Sequence, residues 1–139
     1  MLRFSQILIC VLLGFLFWAG ATAFIHYFPE RLADTAGTIA FLTSIPPALL
    51  CLWLTRRLAN LTSDQFLAGC LIVLAEAMTC DAIALRWFTP LYTPSDSSNR
   101  LAAAWLLWSY GISAWAAVLA SRYMTLRTTP DLQQPLNKK

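Results

Sequence analysis

The sequence predicts an all-α fold, an integral membrane bundle of four transmembrane helices, and three observations predict it. The chain is 58% hydrophobic, only 12% of its residues are charged, and its mean hydropathy is +0.59, too apolar for a soluble core of this size to be covered by polar surface. Long apolar stretches recur along it, each near the roughly 20 residues that a helix needs to cross a ~30 Å hydrocarbon layer. The connections between them are short and polar, which fits one compact bundle within these 139 residues.

The first span is expected over residues 4–26, because no Lys, Arg, Asp or Glu lies between Arg3 and Glu30. Arg3 ahead of an apolar region, with Ala21-Thr22-Ala23 behind it, also fits a cleaved signal peptide. The apolar run exceeds the roughly 7–15 residues of a signal core, so a retained helix is the expectation. The second span is expected over 36–54, where no charge intervenes between Asp34 and Arg56. Pro46 and Pro47 lie within it. Proline lacks an amide hydrogen and clashes with the carbonyl four residues back, so a helix kink is expected near Leu42 to Ser44.

The third span is expected over 66–88 and carries Glu76, Asp81 and Arg86. The loop from Thr89 to Arg100, with Pro90, Pro94 and Ser95 to Asn99, is read as breaking the helix before a charge-free fourth span over 101–121. Residues 1–123 thus form the transmembrane domain, and 124–139, with Pro130 and Pro135, are read as a polar, disordered cytoplasmic tail. Arg3, Arg56, Arg57, Arg122, Arg127, Lys138 and Lys139 fall on one side of this topology, against Arg31, Arg86 and Arg100 on the other. The bias places both termini in the cytoplasm, the chain being read as integral to a bacterial inner membrane. Asn60-Leu61-Thr62 matches a glycosylation acceptor but lies in a loop assigned to the cytoplasmic side, so the match is read as chance.

Several function classes lack a basis. The formal charge is only +3 and the basic residues flank apolar runs, which speaks against nucleic acid as a partner. The five glycines are scattered singly, so no phosphate-cradling loop and no nucleotide cofactor are expected. Cys10, Cys51, Cys70 and Cys80 show no CxxC or His/Cys spacing, so no metal site is expected and the thiols are read as small packing residues. No catalytic residue set can be assembled, and the expectation is a protein without enzyme activity.

The residues that stand out are the acids of the third span. Nine Leu, Ile, Val and Phe residues there, at about −0.5 kcal/mol each, roughly offset two acids at up to about +3 kcal/mol each. Such a helix needs neighbours that face its acids. Five residues separate Glu76 from Asp81, about 7 Å along the axis and some 140° around it, so the two do not form a carboxylate dyad. Each is expected either to hydrogen-bond across helices, to Ser109, Ser113 or Tyr110 for instance, or to titrate as a proton or cation site. Glu76, Thr79 and Cys80 share a face. His26, at the outer end of the first span, is a candidate proton relay toward Asp81 or an interfacial cap. Ser109, Ser113, Ala117 and Ser121 recur every fourth residue and form a helix-packing stripe.

Three runs carry a family resemblance: Ala75 to Ala82, Phe88 to Tyr92, and Ala104 to Gly111. They resemble an uncharacterised family of small bacterial four-helix membrane proteins, a domain of unknown function. Its pattern is an Asp in the third helix, a Phe- and Pro-containing outer loop, and a Leu-Leu-Trp-x-Tyr-Gly motif. Those elements correspond here to Asp81, to Phe88 to Tyr92, and to Leu106 to Gly111. The resemblance implies a four-helix membrane fold and no activity. Small multidrug exporters share only size and helix count, since their essential Glu lies in the first helix and this first helix has no acid.

Two functional expectations result. One is a non-enzymatic membrane protein that acts by packing in the lipid bilayer, with itself as a homodimer or with a membrane protein partner. The other is a proton- or cation-coupled transporter that uses Glu76 and Asp81.

Overall fold

A computed structural model describes residues 1–32 and 34–128. Helix α1 runs over Phe4–Tyr27, α2 over Asp34–Thr43, α3 over Ile45–Leu58, α4 over Ser63–Trp87 and α5 over Asp96–Thr128. Single 3-10 turns at Pro29–Leu32 and Thr89–Leu91 sit in the connections of the end opposite the N-terminus. Taking α2 and α3 as one bent span, Gly37–Leu58, four helices among the described residues are long and apolar enough to cross a membrane. The large apolar side chains left exposed along them, such as Leu12, Leu16, Leu50, Leu71 and Leu107, are those that lipid would cover.

The break between α2 and α3 falls at Ser44. Pro46 and Pro47 have no N–H to return to the carbonyls of Leu42 and Thr43, and the chain resumes its helix with the prolines in the first turn of α3, where a missing donor costs little. Side chains hold the bend. The Ser44 hydroxyl donates to the Phe41 carbonyl at 2.6 Å and that of Thr43 to the Ile39 carbonyl at 2.9 Å. From α5, the Trp105 indole donates to the Ala40 carbonyl at 3.1 Å and the Trp108 indole to the Phe41 carbonyl at 3.0 Å.

The fourth helix is longer at both ends than its apolar run. Residues 96–100, read from the sequence as loop, form its first turn, because Ser95 caps it: the Asn99 amide donates to the Ser95 carbonyl at 3.0 Å and the Ser98 amide reaches the Ser95 hydroxyl at 3.4 Å. At the other end helix continues through 124–128, part of the segment that composition assigns to a polar tail, since no breaker intervenes before Pro130. The rest of that tail, 129–139, with Lys138 and Lys139, lies outside the described residues.

Helix α1 lies along α4, α4 against α5, and α5 against α3, whereas α1 and α3 meet sparsely. Gly14 permits a close approach of α1 to α4. A Cβ there would stand 2.7 Å from the Val73 carbonyl oxygen and 2.8 Å from the Glu76 Cβ. At the N-terminal end the buried Gln6 amide donates at 3.2 Å to the carbonyls of Ala59 and Asn60 and to Gln65 Oε1, which ties α1 to the α3–α4 loop. Asn60 takes φ 48° there, and the Leu61 amide returns to the Arg56 carbonyl at 3.0 Å, a left-handed cap that Asn tolerates well. Arg3, Arg56 and Arg57 are therefore gathered at one end and exposed.

Candidate functional site

The polar centre of the bundle forms around Asp81. It is 5% exposed and sits on the face of α4 that turns toward α1, α5 and the loop after α4. Two phenols converge on it. The Tyr92 hydroxyl donates to Asp81 Oδ1 and the Tyr110 hydroxyl to Asp81 Oδ2. Tyr92 in turn accepts the Trp18 indole N–H at 3.1 Å. One carboxyl group thus links α1, α4, α5 and the loop, and each of its oxygens has a hydrogen-bond donor. That arrangement answers the requirement, legible in the sequence, that an acid inside a span be faced by polar neighbours.

Tyr92 is fully buried although it belongs to a loop. The 3-10 turn at Thr89–Leu91 folds the chain back over the bundle end, with the Tyr92 amide donating to the Thr89 carbonyl at 3.1 Å. Asn99 fixes the other side of the loop by donating to the Thr93 carbonyl at 3.0 Å. Outside the spans as it is, Tyr92 has its phenol held well above its ordinary value, by burial first and then by the Asp81 carboxylate that accepts its proton. Thr22, buried on α1, sets its hydroxyl beside the Tyr92 phenol without a hydrogen bond of good geometry.

The other residues singled out from the sequence are placed elsewhere. Glu76 is half-buried on the face that packs at Gly14, and its Oε1 receives the Cys80 thiol at 3.8 Å. Thr79 does not join that pair; it is exposed and donates to the Ala75 carbonyl at 2.7 Å. His26 is exposed and donates through Nδ1 to the Leu91 carbonyl at 2.9 Å, which pins the loop, while the group from α1 that enters the Asp81 network is Trp18. Of the three partners expected for the acids, Tyr110 pairs with Asp81. Ser109 and Ser113 turn back onto their own helix, donating to the carbonyls of Trp105 and Ser109 at 2.9 and 2.8 Å. The stripe to which they belong faces inward: Ser113 and Ala117 are buried, and Ala117 packs with Leu52, Phe66 and Cys70. Cys10 and Cys70 are buried packing residues too, and all four thiols are free.

Where α1 and α3 part, a cavity of about 480 Å³ opens between α1, α2–α3, α4 and α5, within the range of roughly 300–1,000 Å³ typical of small-molecule sites. Its floor is apolar, with Val73, Leu74, Ala77 and Leu106. Leu16, Gly20 and Phe24 on one lip and Thr43 and Pro47 on the other are exposed, so the mouth faces sideways out of the bundle. Trp18 and Tyr110, the inner members of the Asp81 network, form part of the wall.

The polar groups of that wall are already engaged. Besides Ser109 and Ser113, the Thr55 hydroxyl donates to the Cys51 carbonyl at 2.8 Å, and Thr43, Ser44 and Trp105 are held at the helix break. Among the described residues, no group of three or more His, Cys, Asp or Glu side chains could hold a metal ion.

Trp18 and Tyr92 are the two network members that sequence reasoning did not select. Tyr92 stood inside one of the three quoted runs, a signal that pointed to its loop without pointing to its partner; Trp18 gave none. Comparison with curated proteins and with solved structures finds no match. Residues 30–124, from within the first connection to the last turns of α5 and including Asp81, Tyr92 and Tyr110, match the model of a family of unknown function, DUF5367. With more than half of its length in that match, the chain belongs to the DUF5367 family.

Proposed function

We propose that this chain is a non-enzymatic, multi-pass membrane protein that binds an apolar molecule drawn sideways from the bilayer. The lateral cavity is the observation that carries the reading. It is apolar at its floor, of small-molecule size, and bounded at its mouth by α1 and α2–α3 side chains that lie within spans. A bacterial inner membrane with both termini cytoplasmic is the setting that the Lys and Arg distribution supports.

Assembly with a second copy or a partner protein has less support, because the stripe of Ser109, Ser113, Ala117 and Ser121 is used inside the bundle. Proton or cation coupling has less as well. Both oxygens of Asp81 are engaged, and Glu76 packs at a different helix contact.

The test is photolabelling in lipid nanodiscs with a long-chain alkyl diazirine. Adducts on Val73 and Leu106, inside the cavity, are expected in addition to those on lipid-facing residues. The plugging variant Gly20→Phe should abolish them, since a Cβ at Gly20 meets nothing within 4 Å and the ring has the mouth before it. Adducts confined to the outer faces count against the proposal.

A further inference from the structure

The hydrogen-bonding sense of the cavity wall specifies more than an apolar ligand. Six hydroxyl groups and two indoles line it, and every one of their protons is directed away from the cavity: to carbonyls of the same or a neighbouring helix, to Asp81, or to Tyr92. A hydroxyl that donates its single proton keeps lone pairs and can only accept. Pro47, at the mouth, has no N–H, and it leaves the Thr43 carbonyl beside it without the amide that a regular helix would supply. Among the described residues, the remaining side-chain protons on polar atoms of the wall belong to the thiols of Cys51 and Cys70, which are weak donors. The site offers many acceptors and almost no donors.

We infer that the cavity selects, among apolar molecules, those whose polar group is a hydrogen-bond donor, an alcohol or an amine, over those that can only accept. This rests on the lateral cavity being a binding site. A donor placed in the cavity meets hydroxyl or carbonyl oxygens without breaking any bond of the wall. A ketone or an ether placed there meets oxygens and must either stay unpaired or draw a serine or threonine proton off its helix. Aromatic rings of Trp18, Phe24 and Trp105 on the same wall add faces that favour the positive end of an O–H or N–H group.

The experiment is competition against the alkyl diazirine in nanodiscs, with unlabelled molecules of matched chain length at equal membrane mole fraction. Dodecan-1-ol and dodecylamine are expected to remove the adducts on Val73 and Leu106 at concentrations on the order of tenfold lower than dodecan-2-one or methyl undecyl ether, one hydrogen bond being made or left unmade. If the ketone or the ether competes as well as the alcohol, donor selection is wrong while the binding site stands. If none of the four competes, and the buried adducts also survive Gly20→Phe, the cavity is not a binding site and the inference falls with it.

Discussion

Replacing Tyr92 by Phe keeps the buried ring and removes one oxygen that makes two hydrogen bonds, to Asp81 and from Trp18. Replacing Tyr110 by Phe removes an oxygen that makes one such bond, to Asp81. Interhelical hydrogen bonds in membrane proteins average about 0.6 kcal/mol and reach about 1.7 kcal/mol, and a buried one to a carboxyl oxygen belongs at the upper end. Tyr110→Phe should therefore cost about 1.5 kcal/mol, and Tyr92→Phe, which removes the bond to Asp81 and the bond from the part-buried Trp18 N–H together, about 2 kcal/mol or more. Asp81→Asn keeps one acceptor oxygen and turns the other position into a donor facing a phenol, so it should fall between them. The assay is reversible unfolding in mixed detergent micelles, followed by tryptophan fluorescence. Combining Asp81→Asn with Tyr92→Phe should cost less than the two changes taken separately, because they act on one bond. A Tyr110→Phe protein as damaged as Tyr92→Phe, or additive losses in the double variant, would refute the network as described.

Gly14→Ala should destabilise the bundle by about 1–3 kcal/mol, since its Cβ meets the Val73 carbonyl at 2.7 Å and must part α1 from α4, whereas Gly20→Ala should be neutral or stabilising by up to about 1 kcal/mol; the same unfolding assay compares them. Thr22→Val removes a buried hydroxyl that stands beside the Tyr92 phenol without a hydrogen bond of good geometry, and should shift stability by less than about 1 kcal/mol in the same assay. Glu76→Gln, whose described side-chain partner is one thiol at 3.8 Å, should shift stability by less than about 0.5 kcal/mol. A fifth expectation concerns pH. The folded state holds Tyr92 neutral beyond the ordinary phenol value of about 10, so the unfolded chain loses that proton first; the associated stability is complete below about pH 10 and declines above it. Melting temperatures between pH 9 and 11 should fall less steeply for Tyr92→Phe than for the unaltered protein.

The spans could be read along the chain because a bilayer imposes length and apolarity on each helix separately, before any helix meets another. For the same reason Pro46 and Pro47 announced a defect in the second span, since the amide that each lacks is a local property. The start of α5 departs from the sequence expectation for a local reason as well. Asp96 to Asn99 are turn-forming residues, and only the capping geometry of Ser95 turns them into the first turn of a helix.

Partnership is what the sequence left open. It marked Asp81 as an acid that needs company and named Tyr110 among its prospects, yet Trp18 lies 63 positions away from Asp81 and Tyr92 lies in a loop. Their meeting depends on how α1 docks on α4 and on how the loop folds over the bundle end, neither of which leaves a periodic signal. The serine stripe shows the same limit: its spacing fixes which side chains share a face, while the orientation of α5 decides that the face is spent inside the bundle. The cavity belongs wholly to the tertiary structure. Its walls come from four spans, and it exists because α1 and α3 diverge where α1 and α4, joined at Gly14, come close.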